Sequence, residues 1–427
     1  MCYAIPGKLV AIKGNIGVVD YFGEHRNVLM DTDVEVGDYV YAQGGVLISK
    51  ISKEEAEETL ALWKEQFFKL KEVDQRLSVV KKTGKESANT LAILQKVTAG
   101  KPLSKEDMLA LLKLDNASEL KLVYETANNL RQKENDNACC VHGILEFSNH
   151  CKNDCHYCGI RKSSKIKRYR MATDEIIAAA EHAVKELGFK AIVLQSGEDE
   201  WYDDEKLATV VREIRAMGVL VFISIGVRSK ETYKRLYDAG ARAVLLRFET
   251  SNKTIFAQLR PGANFDERLE LIKYAKKLGY IIATGFIVGL PGESDEDLTN
   301  NIMLTKSLDA DMYSFGPLIP AEGTPLEKQK PTTKEMLLKT IALARFTDPE
   351  AKILVTTAFE TLDINARREG LLAGANSLML NITPMQYRKL YHIYPGRPDT
   401  EKKIEESIKE TVELLYSLGR APTDLGI

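Results

Sequence analysis

Residues 143–161 read GILEFSNHCKNDCHYCGIR. The short apolar run Gly143–Phe147 has the length of a buried strand, and a polar loop follows that carries Cys151, Cys155 and Cys158. An open dinucleotide-binding sheet would carry a glycine-rich phosphate turn at this place; here the loop holds thiols instead. The same strand-then-helix rhythm continues downstream. Strand candidates follow at Ala191–Gln195, Val219–Ile225, Ala243–Phe248, Ile281–Val288, Met312–Gly316, Ile353–Thr357 and Ser377–Leu380. Amphipathic helical patterns lie between them, at Thr173–Leu187, Asp204–Met217, Ser229–Ala239, Phe265–Leu278 and Asp295–Leu308. Eight βα repeats over roughly 250–280 residues have the count and length of a (β/α)8 TIM barrel, so the expected class is α/β. A doubly wound open sheet is the alternative. In a barrel, the loop after the first strand lies on the C-terminal face, where active sites gather.

Upstream the chain reads differently. Lys8–Ile12, Ile16–Tyr21, Asn27–Met30 and Tyr39–Ala42 are short strand patterns punctuated by glycines, which predicts a small N-terminal β-barrel of OB-like type over 1–51. Ser52, with Glu55 three residues on, has the pattern of a capping box opening a long helix. Leu60, Trp63, Phe67 and Leu70 form an apolar stripe along that helix, read as a packing face. The stretch Thr83–Asn89 is the best linker candidate, so 52–89 is expected as a helical linker and 90–427 as the barrel with a helical lead-in.

Composition excludes several classes. Of the 427 residues, 59 are Lys or Arg and 61 are Asp or Glu, so a formal charge of −2 gives no field that calls for nucleic acid. No apolar run approaches the ~20 residues that span a bilayer, and MCYAIPGK lacks a signal-peptide layout. The expectation is a cytoplasmic protein with neither a nucleic-acid nor a membrane partner. Six cysteines lie at 2, 139, 140, 151, 155 and 158 and none beyond, a clustering that reads as a metal site rather than a disulfide framework. Cys139 and Cys140 are expected as buried packing residues. The basic run Arg161–Arg170 is read as a solvated lead-in to a helix.

Three thiolates spaced CxxxCxxC can hold three irons of a 4Fe–4S cube and leave the fourth iron open to a ligand. A structural zinc would need a fourth ligand from His150 or His156, both otherwise loop residues. CxxxCxxC with Tyr157 before its third cysteine resembles the signature of the radical S-adenosylmethionine (SAM) superfamily. That resemblance implies a 4Fe–4S cluster and SAM, which is cleaved to methionine and a 5′-deoxyadenosyl radical; with no cysteine after 158, a single cluster is expected. Gln195–Asp199, QSGED, resembles the superfamily's motif for the methionine amino group, through Ser196, Gly197 and Glu198. Arg247 and Glu249 flank Phe248 at a strand end, and alternation puts both on one side; a purely structural ion pair is the alternative. Gly289, Leu290, Pro291 and Gly292 resemble the adenine-side turn. Arg268 is either a cofactor contact or part of a solvated helix face.

The segments quoted, together with YRMATDEI, LRPGANFDERL, GPLIPAEGTPL and LLAGANSLMLNITPMQYRKLYHIYPG, resemble the HydE family of iron–iron hydrogenase maturases. The likeness implies that Ser196, Glu249 and Arg268 contact SAM and that Arg247, Thr356, Thr357 and Tyr387 line a substrate cavity. It implies a small iron-complex substrate, a reductant such as ferredoxin or flavodoxin, and other maturation proteins as partners. Asn381 and Thr383 follow the eighth strand, where barrels often bind anions, and Tyr387 and Tyr391 are spaced to share a helix face. A radical mutase on an amino-acid-like substrate, as in methylornithine synthase, is the second reading, because Arg247 suits a carboxylate. A non-catalytic iron carrier or scaffold is the third. A biotin-synthase role is disfavoured, since no cysteine after 158 supplies a sulfur-donating cluster. MCYAIPGKLVAI and VGDYVYAQGGVLISKI resemble the HypC family of hydrogenase chaperones, whose N-terminal cysteine, here Cys2, carries iron. Gln43 stands where that family usually has a histidine, and a docking or dimerisation module is the alternative role.

Overall fold

The computed structural model describes residues 3, 5–30, 32–398 and 400–426. Its first strands are β1 (Gly7–Lys13), β2 (Ile16–Tyr21), β3 (Glu24–Leu29), β4 (Tyr39–Gln43) and β5 (Val46–Ile51). They close into a barrel in the order β1-β2-β3-β5-β4, with β1 pairing back to β4. Alternation sends Gly17, Val19 and Tyr21 of β2 inward, where they meet Leu9, Val28, Val40 and Leu47. The sequence patterns predict four of these strands and miss β5. Its residues Val46, Leu47 and Ile48 are all buried because the strand has two apolar neighbours. Leu47 fills the small barrel, while Val46 and Ile48 pack outside it.

Helix α1 (Lys53–Leu77) starts at Ser52, whose hydroxyl accepts from the Glu55 amide at 3.2 Å. Its stripe packs on the small barrel as expected: Phe67 and Leu70 are buried and Leu60 and Trp63 lie against them. Three lead-in helices follow, α2 (Ala88–Thr98), α3 (Lys105–Leu112) and α4 (Ala117–Asn135). The full capping box of this region lies at Ser104 and Asp107 on α3.

The large sheet runs through β6 (Ala138–Ser148), β7 (Ala191–Ser196), β8 (Leu220–Ser224), β9 (Ala243–Leu245) and β10 (Ile281–Thr284). Beyond the short β11 (Ile287–Val288) come β12 (Met312–Tyr313), β13 (Gly316–Pro317), β14 (Lys352–Ile353), β15 (Ser377–Asn381) and β16 (Ala421–Pro422). The order β14-β12-β10-β9-β8-β7-β6-β15 is parallel throughout, and β16 adds to the lower end of β6. A bridge between Leu354 and Ser377, with the Val355 amide donating to the Ser377 carbonyl at 3.0 Å, spans the remaining seam. The eight expected strands are all present, in a nearly closed barrel rather than an open doubly wound sheet. The outer helices are α5 (Thr173–Lys185), α6 (Asp204–Ala216), α7 (Lys230–Asp238), α8 (Lys253–Leu259), α9 (Phe265–Leu278), α10 (Asp295–Ser307) and α11 (Lys334–Thr347). The C-terminal part adds α12 (Thr357–Glu360), α13 (Ala366–Leu372), α14 (Met385–Arg388) and α15 (Ile404–Ser417).

The small barrel sits against the N-terminal end of the large one. Val46 and Ile48 join Ala191, Leu220, Ala243 and Met312 in one apolar cluster. At the tip of the β4–β5 turn, Gly44 has φ +61° and lies so close that a Cβ there would be 2.9 Å from Leu220 Cδ2 and 3.1 Å from Ile281 Cδ1. The lower mouth of the barrel is therefore covered, and its chemistry faces the opposite end. Among the described residues no helix is long and apolar enough to cross a membrane.

Candidate functional site

A cavity of about 300 Å³ opens at the C-terminal end of the large barrel. Cys151, Cys155 and Cys158 all line it, from the loop after β6. The basic run after them leads into α5 with Lys162, Lys165 and Lys167 exposed as expected, but its arginines do structural work. Arg161 is buried and bonds Asp154, and Arg168 donates to the carbonyls of Asn149, Ile160, Arg161 and Ser164, tying the cysteine loop to itself. Arg170 bonds Asp199, which also accepts from Ser148, so the loops after β6 and β7 are joined. Burial pushes all three thiols up, Cys158 to about 12, so these sulfurs hold protons until cations replace them. His150 and His156 do not line the cavity.

Above the cysteines lies a buried network of charge. Glu198 meets the Arg268 guanidinium at 3.0 Å and that of Arg260 at 3.8 Å; Glu249 meets Arg260 at 3.3 Å and Arg247 at 3.3 Å. Glu249 adopts φ +72°, unusual for a residue with a side chain, and its backbone is held by bonds to Gly285 and Ile287. Arg268 is buried, not part of a solvated face, and burial together with its neighbour Arg260 lowers its guanidinium from the ordinary value. Arg260 also donates to the Tyr157 hydroxyl at 3.3 Å. Sequence reasoning did not single out Arg260, although it sits in the quoted LRPGANFDERL segment.

Ser196, Gly197, Thr356 and Thr357 also line the cavity, Ser196 donating to the Gly197 carbonyl at 2.7 Å and Thr357 bonded to Tyr394 at 2.6 Å. Tyr387 does not line it. Helix α14 ends at Arg388, so Tyr387 and Tyr391 share no helix face. Tyr387 turns out to Glu175, its hydroxyl donating at 2.6 Å, and Tyr391 and Tyr394 line the wall in its place. Leu290 and Pro291 also lie off the cavity; Leu290 packs with Ile287 and Leu318, which do line it. Asn381 and Thr383 are occupied internally, donating to Glu146 Oε2 at 2.9 Å and accepting from the Glu146 amide at 2.8 Å. Glu146, paired with Arg397 at 2.8 Å, was also missed, although it alternates with Ile144 along β6. Four arginines (247, 260, 268 and 397) and three glutamates (146, 198 and 249) line the cavity, which leaves one positive charge.

The residues fit a cluster and a polar cofactor. Thr356 Oγ1 is buried without a hydrogen-bond partner among the described residues, and Glu249 Oε2 meets only the Arg247 guanidinium at 3.3 Å; both belong to cavity-lining side chains. Gly197 packs so tightly on the cysteine loop that a Cβ would overlap the His150 carbonyl and come 2.8 Å from Cys151 Cβ. In the small barrel, Gln43 is buried, its amide nitrogen 3.5 Å from the Tyr3 carbonyl and its oxygen without a hydrogen-bond partner among the described residues. Cys2 lies outside the described residues.

A thiol-bearing first loop on a parallel eight-stranded barrel, walled by buried arginine–glutamate pairs, defines a class that comparison with known proteins identifies. Residues 145–304 match the Radical SAM superfamily, 1–63 the HupF/HypC family and 314–420 the Biotin and Thiamin Synthesis associated domain. The chain belongs to the radical SAM superfamily and is an enzyme of that class, using a 4Fe–4S cluster and SAM. More particularly, it is 38% identical over 331 residues to the [FeFe] hydrogenase maturase subunit HydE of Thermotoga maritima, covering 77% of this chain and 94% of that protein. It is 31% identical to 3-methylornithine synthase of Methanosarcina acetivorans, over 77% of this chain and 93% of that one. The crystal structure of methylornithine synthase (PylB) aligns with TM-score 0.67 and 28% identity, over 77% of this chain and 97% of that chain.

Proposed function

We propose that this chain is a maturase that builds part of a hydrogenase metallocofactor by radical chemistry in the cytoplasm, with Cys151, Cys155 and Cys158 as the only protein ligands of its cluster. The likeness to the Thermotoga maritima maturase and to the HupF/HypC family on one polypeptide supports the reading. We divide the chain at 1–51, 52–89 and 90–427. Bound at the three cysteines, the cluster supplies the electron that cleaves SAM to methionine and a 5′-deoxyadenosyl radical. The chain's own residues orient the cofactor and shut out water. The Ser196 hydroxyl, the Gly197 backbone and Glu198 face its amino-acid end. Glu249, ion-paired to Arg247 and Arg260, has lone pairs left for an ammonium or hydroxyl donor, Arg268 holds Glu198 in place, and Tyr157 is part of the cysteine loop's wall. Leu290 and Pro291 act from behind Ile287, which carries the wall. Ferredoxin or flavodoxin is the expected reductant, and other hydrogenase maturation proteins are the expected partners.

The observation that carries the substrate assignment is the unbalanced positive charge of the cavity. Arg247, Thr356 and Thr357 present a cation and hydroxyls to an anion, the chemistry of a cysteine-bound iron complex bearing carboxylate and cyanide. The same cation suits a free amino acid, and the likeness to 3-methylornithine synthase favours that mutase reading as the alternative. Anaerobic incubation of reconstituted protein with dithionite and SAM is expected to release 5′-deoxyadenosine; its absence removes both enzyme readings. Restored hydrogenase activity in a host lacking its own maturase decides for the first, and methylornithine-type rearrangement without restoration decides for the second.

Two further outcomes are expected. Arg247→Leu removes a charge-assisted hydrogen bond worth about 1.5–3 kcal/mol, so KM for a carboxylate substrate rises roughly 10–100-fold. An unchanged KM removes Arg247 from the substrate site. Gly197→Ala forces the loop carrying Cys151 away from β7. Iron retained after desalting is expected to fall below half of wild type with little change in thermal midpoint; full iron content would show that the loop accommodates the methyl group.

A further inference from the structure

Strand β6 carries a second set of chemistry below the cavity. Alternation along its length turns Cys140, His142, Ile144 and Glu146 to the barrel interior, and Ile144 and Glu146 line the upper cavity. At about 3.3 Å per residue, Cys140 lies roughly 20 Å below Glu146, on the floor covered by the β4–β5 turn. Val46, Ile48, Leu220, Phe222, Met312 and Met379 pack on this floor, and the buried Lys352 ammonium acts on both Cys140 and Asp424, so it faces two groups that are anionic when they ligate an ion. Into this setting the segment after β16 brings Asp424. Ligand atoms of Cys140, His142 and Asp424 all lie within 4.8 Å of one another, and the three residues are 2%, 1% and 1% exposed.

Cys140 and Asp424 both bond the Thr423 hydroxyl and His142 bonds Asp424, yet these bonds leave part of the cluster unmet. His142 Nε2 lies 3.3 Å from Asp424 Oδ2, and the Thr423 hydroxyl donates to the same oxygen at 2.7 Å. His142 Nδ1 and Asp424 Oδ1 are both buried without a hydrogen-bond partner among the described residues. An ion held by His142 Nε2 leaves Nδ1 as it is, but it can meet the second carboxylate oxygen, Asp424 Oδ1, whose burial without a partner costs about 1–3 kcal/mol. The donor set says which kind of ion. One sulfur, one imidazole nitrogen and one carboxylate oxygen form the mixed set that suits a borderline divalent transition ion and disfavours magnesium or calcium. Bond lengths of about 2.0–2.3 Å to a tetrahedral ion place its ligand atoms roughly 3.5 Å apart, so the His142–Asp424 edge already has that spacing and the Cys140 sulfur needs only a small inward movement.

We propose that Cys140, His142 and Asp424 form a buried mononuclear site for a divalent ion of the zinc type, with water as the fourth ligand. On binding, the Cys140 S–H proton passes to solvent, a metal–sulfur bond takes its place, and neither electrons nor a further reactant are needed. The ion fastens the C-terminal segment to β6 beneath the small barrel. It is separate from the cluster loop and does not depend on the reaction assigned to the upper cavity.

The test uses the full-length, cluster-loaded protein, equilibrated anaerobically with zinc chloride and then desalted. One zinc per chain is expected to be retained, and its K-edge absorption spectrum is expected to show a single sulfur at about 2.3 Å with nitrogen or oxygen neighbours at about 2.0 Å. Cys140→Ser should remove that sulfur signal, and Asp424→Asn, nearly isosteric, should weaken zinc retention about tenfold or more. Added zinc should raise the thermal midpoint of wild type and leave that of His142→Ala unmoved. No retained zinc, a shell of several sulfurs, or a sulfur signal that survives Cys140→Ser would each overturn the site.

Discussion

Alanine at Cys155 is expected to reduce 5′-deoxyadenosine formation to the level of a protein-free control and to strip the chain of most of its reconstituted iron. Cys155 is the most buried of the three loop thiols, at 8% exposed, and its carbonyl accepts from the Cys158 amide, so it sits at the centre of the loop. A cube held by three thiolates has no spare protein ligand: loss of one leaves two irons of the cube without a protein ligand and open to solvent. His150 and His156 line no part of the cavity and cannot take the vacant place. Serine is the sharper variant, since its oxygen keeps the size and loses the soft donor; it should behave as alanine does. Iron and sulfide analysis with product chromatography reads both effects. Retention of four irons and of half the wild-type product would show that the ligands lie elsewhere. Thermal stability should change little, which separates a lost cluster from a lost fold.

Much of this site was legible because its reading is local. CxxxCxxC needs eight consecutive residues, and the strand before it declares itself by length and apolarity. The (β/α)8 class is legible for the same reason, since every strand and its helix are neighbours in sequence. Part of what escaped depends on partners far along the chain. Arg397 gains meaning from Glu146, about 250 residues away, and Arg260 in part from Glu198; Glu249 lies only 11 residues before Arg260, but nothing in that stretch shows that the strand end and the turn after α8 fold back on each other. Glu146 was within reach, as a charge at an inward position of a buried strand needs a partner. Tyr387 misled because an i, i+4 spacing implies a shared face only if the helix continues, and α14 is four residues long. Strand β5 escaped because burial on both sides erases the alternation by which half-buried strands are found. The basic run before Tyr169 reads as solvated by composition, whereas Arg168 spends its donors on backbone carbonyls of the loop it encloses.

The largest stability effect is expected far from the chemistry, at Asp74 on α1. Its carboxylate receives two bonds from Arg131, at 2.8 and 2.7 Å, and Arg420 Nε lies 2.9 Å from the same group. Both guanidinium groups are completely buried and Asp74 is 1% exposed. Burial and the adjacent Arg131 pull the Arg420 guanidinium down to about 10, so this pocket already tolerates positive charge poorly. The remaining acceptors are neutral: Asn128 Oδ1 takes bonds from both arginines, and the carbonyls of Asp136 and Leu371 take one each. Asp74→Ala therefore leaves two buried cations with no counter-charge, and removing one partner of a buried pair costs about 3–5 kcal/mol. The three residues come from α1, α4 and the turn before β16, so the bond set fastens the long helix, and with it the small barrel, to the large one. Urea unfolding should show the loss as a lower midpoint. Limited proteolysis should show cleavage near residues 78–87 appearing before the large barrel opens. Lys253→Ala serves as the contrast: its pair with Asp266 is 63% and 68% exposed, and its loss should cost no more than about 1 kcal/mol. If Asp74→Ala behaves like Lys253→Ala, the buried arginines are satisfied without the carboxylate and the fastening role of α1 fails.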